Sequence, residues 1–163
     1  MSDGFGASAR GQKRGAAPVG FLSELGPVEQ GAVRALRAWS DGRAGLENLG
    51  RDITRTAGVA HADMVLHALS NLCDLCARHG RRPLMRHHSA CACLGADESC
   101  FAHFVAAAAD GQREDAMLLA TLLVRPDFAP SLVGLAEYLG NALRLAASVP
   151  PHTHHTDNVV KLH

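Results

Sequence analysis

Residues 113–124 read REDAMLLATLLV, and the predicted architecture is built around this segment. Its Met, Leu and Val side chains point in every direction around a helical wheel, which is typical of a helix buried among others. Two acidic residues lie in its first turn and Arg125 follows its end, which is the polarity that a helix dipole prefers. We therefore expect a central apolar helix over about residues 113–124.

The composition of the whole chain also favours helices. Its 163 residues include 28 Ala and 21 Leu, against 11 Val and one Ile. Ala and Leu are good helix formers, whereas β-branched residues favour strands. Apolar residues make up 47% of the chain and charged residues 20%, a balance typical of a globular protein with a hydrophobic core. The sequence therefore predicts an all-α protein with one domain.

Further amphipathic segments flank residues 113–124 on both sides, so we expect a bundle of five or six helices. The helix after Gly95 is expected to use Asp97 as its N-cap. Residues 83–94 fit neither a helix nor a strand clearly. The predicted helix boundaries lie at residues that favour helix starts and ends: Pro27, Gly42, Gly58, Gly80, Gly111 and Pro130.

Both ends of the chain lack an apolar pattern. We expect flexible tails over residues 1–20 and 149–163, the second containing histidines, around a helical domain over residues 21–148. Since no apolar run approaches the ~20 residues of a membrane span, no membrane contact is expected. The five cysteines are an odd number and all lie within residues 73–100, so no disulfide framework is expected either. These features favour a reducing, cytoplasmic environment.

Cysteine and histidine side chains concentrate between residues 87 and 103, and such side chains are the usual ligands of zinc. Cys100 and His103 would lie on the same side of a helix, beside its apolar stripe. The candidate zinc ligands are Cys91, Cys93, Cys100 and His103, with His87 and His88 as alternatives.

The remaining ligands depend on the conformation of residues 87–93. In a helix, Cys91 would lie near His87 or His88. Cys93 would join Cys91 only if the chain is extended or turned there. Packed, inert thiols and surface histidines are the simpler interpretation, because free cysteine is among the most buried residue types.

Other motifs give little support to an enzyme or a nucleic-acid binder. The Cys73-Asp74-Leu75-Cys76 sequence lies well inside a predicted helix, which favours core thiols over a redox motif. The basic stretch from residue 78 to 88 lacks aromatic residues and the predicted domain has a net charge of −2, so we do not expect nucleic acid as a partner.

We therefore expect a non-enzymatic binding or regulatory module whose partner is another protein or a second copy of the chain. The alternative is a metal-dependent or thiol-dependent enzyme with its site around Cys91, Cys100 and His103. In that case three protein ligands and a water would face a cleft lined by Asp97 or Glu98.

Overall fold

A computed structural model describes residues 14–148, which form six helices and a small two-stranded sheet. This architecture confirms the all-α prediction. The helices are α1 (Pro27–Ser40), α2 (Gly42–Ala57), α3 (Val59–His79), α4 (Ala96–Ala109), α5 (Arg113–Leu123) and α6 (Ala129–Ser148). The strands are β1 (Pro18–Phe21) and β2 (Cys93–Gly95), which pair in antiparallel fashion.

The helix boundaries follow from residues with restricted or unusual backbone conformations. Pro27 occupies the first turn of α1, where its missing N–H costs nothing. Gly58 separates α2 from α3 with a φ of +88°, and Gly111 separates α4 from α5 with a φ of +72°. Such angles disfavour residues with a Cβ, so these glycines end the helices as predicted.

The centre of the bundle is α6, which packs against each of the other five helices. Leu132, Ala136 and Leu139 along its length are fully buried. The core continues into α4 through Phe101 and Phe104, which are also fully buried. The two helices approach closely at Gly140, where an added Cβ would lie 2.6 Å from the Cβ of Ala109.

The prediction that residues 113–124 form a helix is confirmed at Arg113–Leu123, but the predicted central position of that helix is wrong. Leu118 and Leu122 of α5 are 67% and 64% exposed, whereas Ala116 and Ala120 on its opposite side are buried. The buried residues of α5 are thus two alanines and Leu123, and some of its large apolar residues face outward. A helical wheel of hydrophobicity cannot reveal this arrangement, because it weights Leu above Ala.

Chain segments outside the helices also differ from expectation. Residues 18–20, assigned above to a tail, lie in β1. This strand pairs with β2, which directly precedes α4. The ambiguous residues 83–94 form an irregular loop that ends in β2. Residues 1–13 of the tail predicted over residues 1–20, and the whole tail predicted over residues 149–163, lie outside the described residues. Within residues 14–148, no helix is both long and apolar enough to cross a membrane.

Candidate metal centre

A buried ion pair between α1 and α4 organises the loop before β2. The guanidinium of Arg37 contacts the carboxylate of Glu98 through two hydrogen bonds, Nε to Oε1 at 2.6 Å and Nη2 to Oε2 at 2.9 Å. The two side chains are 2% and 0% exposed. Two charges this deep in a protein are tolerated only when each is fully paired.

The remaining hydrogen-bonding groups of this pair hold the loop backbone. Arg37 donates to the carbonyl oxygens of Cys91 and Cys93, both at 2.7 Å. Glu98 accepts from the backbone N–H groups of His87 at 3.0 Å and Gly95 at 2.9 Å. Burial alone would raise the pKa of Glu98, but the hydrogen bonds from Arg37, Gly95 and His87 outweigh it and lower that pKa.

A second ion pair holds the start of the same loop. Arg82 donates from both terminal nitrogens to Asp97, at 2.6 and 2.5 Å. Asp97 also accepts from the backbone N–H of Met85 at 2.8 Å. The N-cap prediction for Asp97 is therefore wrong: Gly95 is the N-cap, and Asp97 lies buried in the first turn of α4, where its charge suits the helix dipole.

The loop held by these two ion pairs brings three potential metal ligands together. One ring nitrogen of His87 and the sulfurs of Cys91 and Cys93 all lie within 4.8 Å of one another. Within residues 14–148, this is the only group of three or more such side chains. The Nε2 atom of His87 is buried and has no hydrogen-bond partner. A buried imidazole nitrogen with no partner requires an explanation, because such groups are normally satisfied.

The structure separates the other candidate ligands from this group. His88 is exposed, and its Nδ1 accepts from the backbone N–H of Ala90 at 3.3 Å. Cys100 packs partly buried against the core, where burial raises the pKa of its thiol. His103 is exposed on α4, with its Nδ1 2.7 Å from the carbonyl oxygen of Ser99. Helical spacing does place Cys100 and His103 on one helix, but the cluster of donors forms in the loop instead.

The thiols of α3 lie in or against the hydrophobic core. Cys73 is 2% exposed and lies in the main core, and burial raises the pKa of its thiol well above the ordinary value. Burial likewise raises the pKa of Cys76 to about 12. Both thiols therefore stay protonated at neutral pH, which makes them poor nucleophiles and poor metal ligands.

Sequence reasoning missed the role of Arg37 and Glu98. A signal was present for Arg37, because it lies one helical turn after Val33, on the buried side of α1. A charge at such a position needs a buried partner. The sequence did not identify that partner, which lies 61 residues further along the chain.

Two sulfurs and one imidazole nitrogen form a donor set suited to zinc, and a tetrahedral zinc would take one further ligand. In the structure the sulfurs of Cys91 and Cys93 lie at disulfide-bonding distance, with their Cα atoms 5.5 Å apart, so metal binding would require the reduced pair. No family model, no curated protein and no solved structure matches the chain.

Proposed function

We propose that the chain is a non-enzymatic binding module that holds one zinc ion through His87, Cys91 and Cys93. The observation that carries this proposal is that one ring nitrogen of His87 lies close to both sulfurs, in an imidazole whose Nε2 is buried without a hydrogen-bond partner. Burying a polar atom without a partner is unfavourable, and a metal ion bound to this nitrogen would remove that cost. A bound zinc ion would thus explain both the unpartnered ring nitrogen and the two nearby sulfurs.

The donor atoms favour zinc over the hard divalent cations. Thiolate and imidazole ligands suit zinc and copper, whereas magnesium and calcium require oxygen ligands. Among the described residues, no carboxylate belongs to the group. Three protein ligands leave one tetrahedral position open. In this proposal water fills that position in the isolated chain, and a nitrogen or oxygen ligand from a protein partner or a second copy of the chain replaces it.

The neighbouring carboxylates support a binding role over a catalytic one. A zinc hydrolase commonly uses a free carboxylate near the metal as a general base. Both oxygens of Glu98 accept hydrogen bonds from Arg37 and from backbone N–H groups. Both oxygens of Asp97 are engaged by Arg82, and one also by Met85. Neither carboxylate is free to take a proton from a metal-bound water.

The proposal requires Cys91 and Cys93 in their reduced form. Thiolates are the metal-binding form of cysteine, and a disulfide offers no such ligand. A reducing compartment such as the cytoplasm would keep the pair available. The oxidised protein then provides an internal control, since it contains the same residues without two of the ligands.

The test is zinc analysis of full-length, untagged protein, reduced with a phosphine and then dialysed against zinc and buffer. We expect about one tightly held zinc per chain for a single site of this kind. His87→Gln and Cys93→Ser should each abolish tight retention, and oxidised wild-type protein should retain none. His88→Gln and Cys100→Ser are matched controls that should keep the metal.

Histidines 152, 154 and 155 are replaced by Gln together in a further control, so that zinc bound to them is not counted. Failure of reduced wild-type protein to retain zinc would overturn the proposal. Loss of zinc from Cys100→Ser with retention in His87→Gln would also overturn it, because the site would then lie on α4.

A further inference from the structure

A second candidate site lies between α1, α3 and the loop that follows α3. It is a cavity of about 660 Å³, which lies within the usual range for small-molecule sites. Leu36, Trp39, Cys76 and Leu84 contribute apolar walls. No function proposed above uses this cavity, and its residues do not include His87, Cys91 or Cys93.

The cavity has a cationic edge. Three arginines contribute to its lining, namely Arg81, Arg82 and Arg86, and no acidic residue does. Arg82 is neutralised by Asp97. Within residues 14–148, Arg81 and Arg86 form no ion pair: Arg81 donates to the carbonyl oxygen of Thr121, and Arg86 makes only a 3.4 Å contact with that of Ser40. Two positive charges therefore remain uncompensated beside an apolar interior.

The thiols in the cavity wall do not alter this charge distribution. The raised pKa values of Cys73 and Cys76 keep both groups neutral, so they act as apolar surface. The site thus combines neutral, apolar walls with arginines from the loop that follows α3. Arginine binds carboxylates through paired hydrogen bonds, and an apolar wall stabilises a hydrocarbon chain.

We propose that this cavity binds an amphipathic carboxylate, with its hydrocarbon chain against Trp39 and Leu36 and its carboxylate at Arg81 and Arg86. Charge complementarity selects an anion, and the apolar walls select a ligand with a hydrocarbon tail over a small polar acid. The inference does not rest on the zinc proposal. It is tested on metal-free protein, so failure of either proposal leaves the other intact.

Trp39 is the only tryptophan of the chain and lies in the cavity wall, so its fluorescence reports occupancy. Full-length protein is titrated with decanoate below its micelle concentration, and isothermal calorimetry gives the affinity independently. We expect a saturable change in tryptophan emission with decanoate. Decanol, which lacks the charge, and butyrate, which lacks the tail, should each bind roughly tenfold more weakly or worse.

The paired substitution Arg81→Gln with Arg86→Gln should weaken decanoate binding roughly tenfold or more. Arg43→Gln with Arg55→Gln removes the same charge from exposed positions of α2 and should leave the affinity unchanged. Arg86→Gln alone retains the bond from Arg81 to Thr121 and should still weaken binding if the double variant is unstable. Ala77→Phe, which adds a ring to a residue of the cavity lining, should weaken binding.

Three results would overturn the inference. The first is the absence of saturable decanoate binding to wild-type protein. The second is wild-type affinity in both Arg86→Gln and the double arginine variant, which would show that the cationic edge does not hold the carboxylate. The third is unchanged binding by folded Ala77→Phe, which would place the ligand elsewhere.

Discussion

Arg37 and Glu98 lie 61 positions apart in sequence, yet their side chains form a fully buried ion pair. The same two side chains form hydrogen bonds with backbone groups of His87, Cys91 and Cys93 in the loop before β2. This pair links the helical core to the candidate metal centre. A change to either residue should therefore affect both stability and metal binding.

Glu98→Gln should destabilise the protein by about 3 to 5 kcal/mol, because it leaves the charge of Arg37 buried without compensation. Urea unfolding measures the loss. The matched control is Glu47→Gln, which breaks the exposed pair with Arg43 and should change the free energy of unfolding by no more than about 1 kcal/mol. Equal effects of the two substitutions would show that the buried pair is not formed in solution.

The lowered pKa of Glu98 predicts sensitivity to acid. The folded state binds a proton on this group more weakly than the unfolded state, so ionised Glu98 stabilises the fold above the ordinary pKa of about 4.5. That contribution is lost as the pH falls below this value toward the lowered pKa of the folded state. Free energies of unfolding measured between pH 6 and about pH 3 should decline more steeply in wild-type protein than in Glu98→Gln. Identical slopes would contradict this prediction.

The close approach of α4 and α6 predicts opposite effects at two glycines of one helix. Gly134 has open space around it, so Gly134→Ala should stabilise the protein by up to about 1 kcal/mol through helix propensity. At Gly140 the new Cβ would overlap Ala109 and the carbonyl oxygen of Val105, so Gly140→Ala should cost about 1 to 3 kcal/mol. Thermal unfolding of both variants provides the measurement, and stabilisation by Gly140→Ala would show that the helices lie further apart.

The positions of α5 and α6 predict which leucines contribute most to the stability of the core. Leu139→Ala in α6 should cost about 2 to 5 kcal/mol, because it leaves a cavity among buried side chains. Leu122→Gln in α5 should change stability by no more than about 0.5 kcal/mol, because that side chain is largely exposed. The denaturant midpoints of the two variants, compared with that of wild-type protein, measure these losses of stability. A large loss from Leu122→Gln would restore the central position that the sequence predicts for residues 113–124.

Local signals in the sequence were sufficient to predict where several of the helices begin and end. Pro27, Gly58 and Gly111 act on the backbone within one or two residues, so their effects can be predicted without the tertiary structure. The position of each helix in the bundle depends instead on which helices meet. The apolar pattern of α5 did not reveal that Ala116 and Ala120 are buried while Leu118 and Leu122 are exposed.

The candidate metal centre was predictable only in part. The local density of cysteine and histidine indicated the region, and Cys91 and Cys93 meet because the chain is irregular there rather than helical. His87 joins them through a loop conformation that Arg37 and Glu98 impose from distant helices. Periodicity within a short segment carries no information about such contacts, which is why it favoured Cys100 and His103.

Zinc K-edge X-ray absorption of the reduced, zinc-loaded protein identifies the atoms bound to the metal. We expect a tetrahedral zinc with two sulfur neighbours at about 2.3 Å and one imidazole nitrogen at about 2.0 to 2.1 Å, completed by a fourth light ligand. His87→Gln should lose the imidazole scattering. A first shell with three sulfurs, or with nitrogen and oxygen alone, would contradict the assignment of the metal to His87, Cys91 and Cys93.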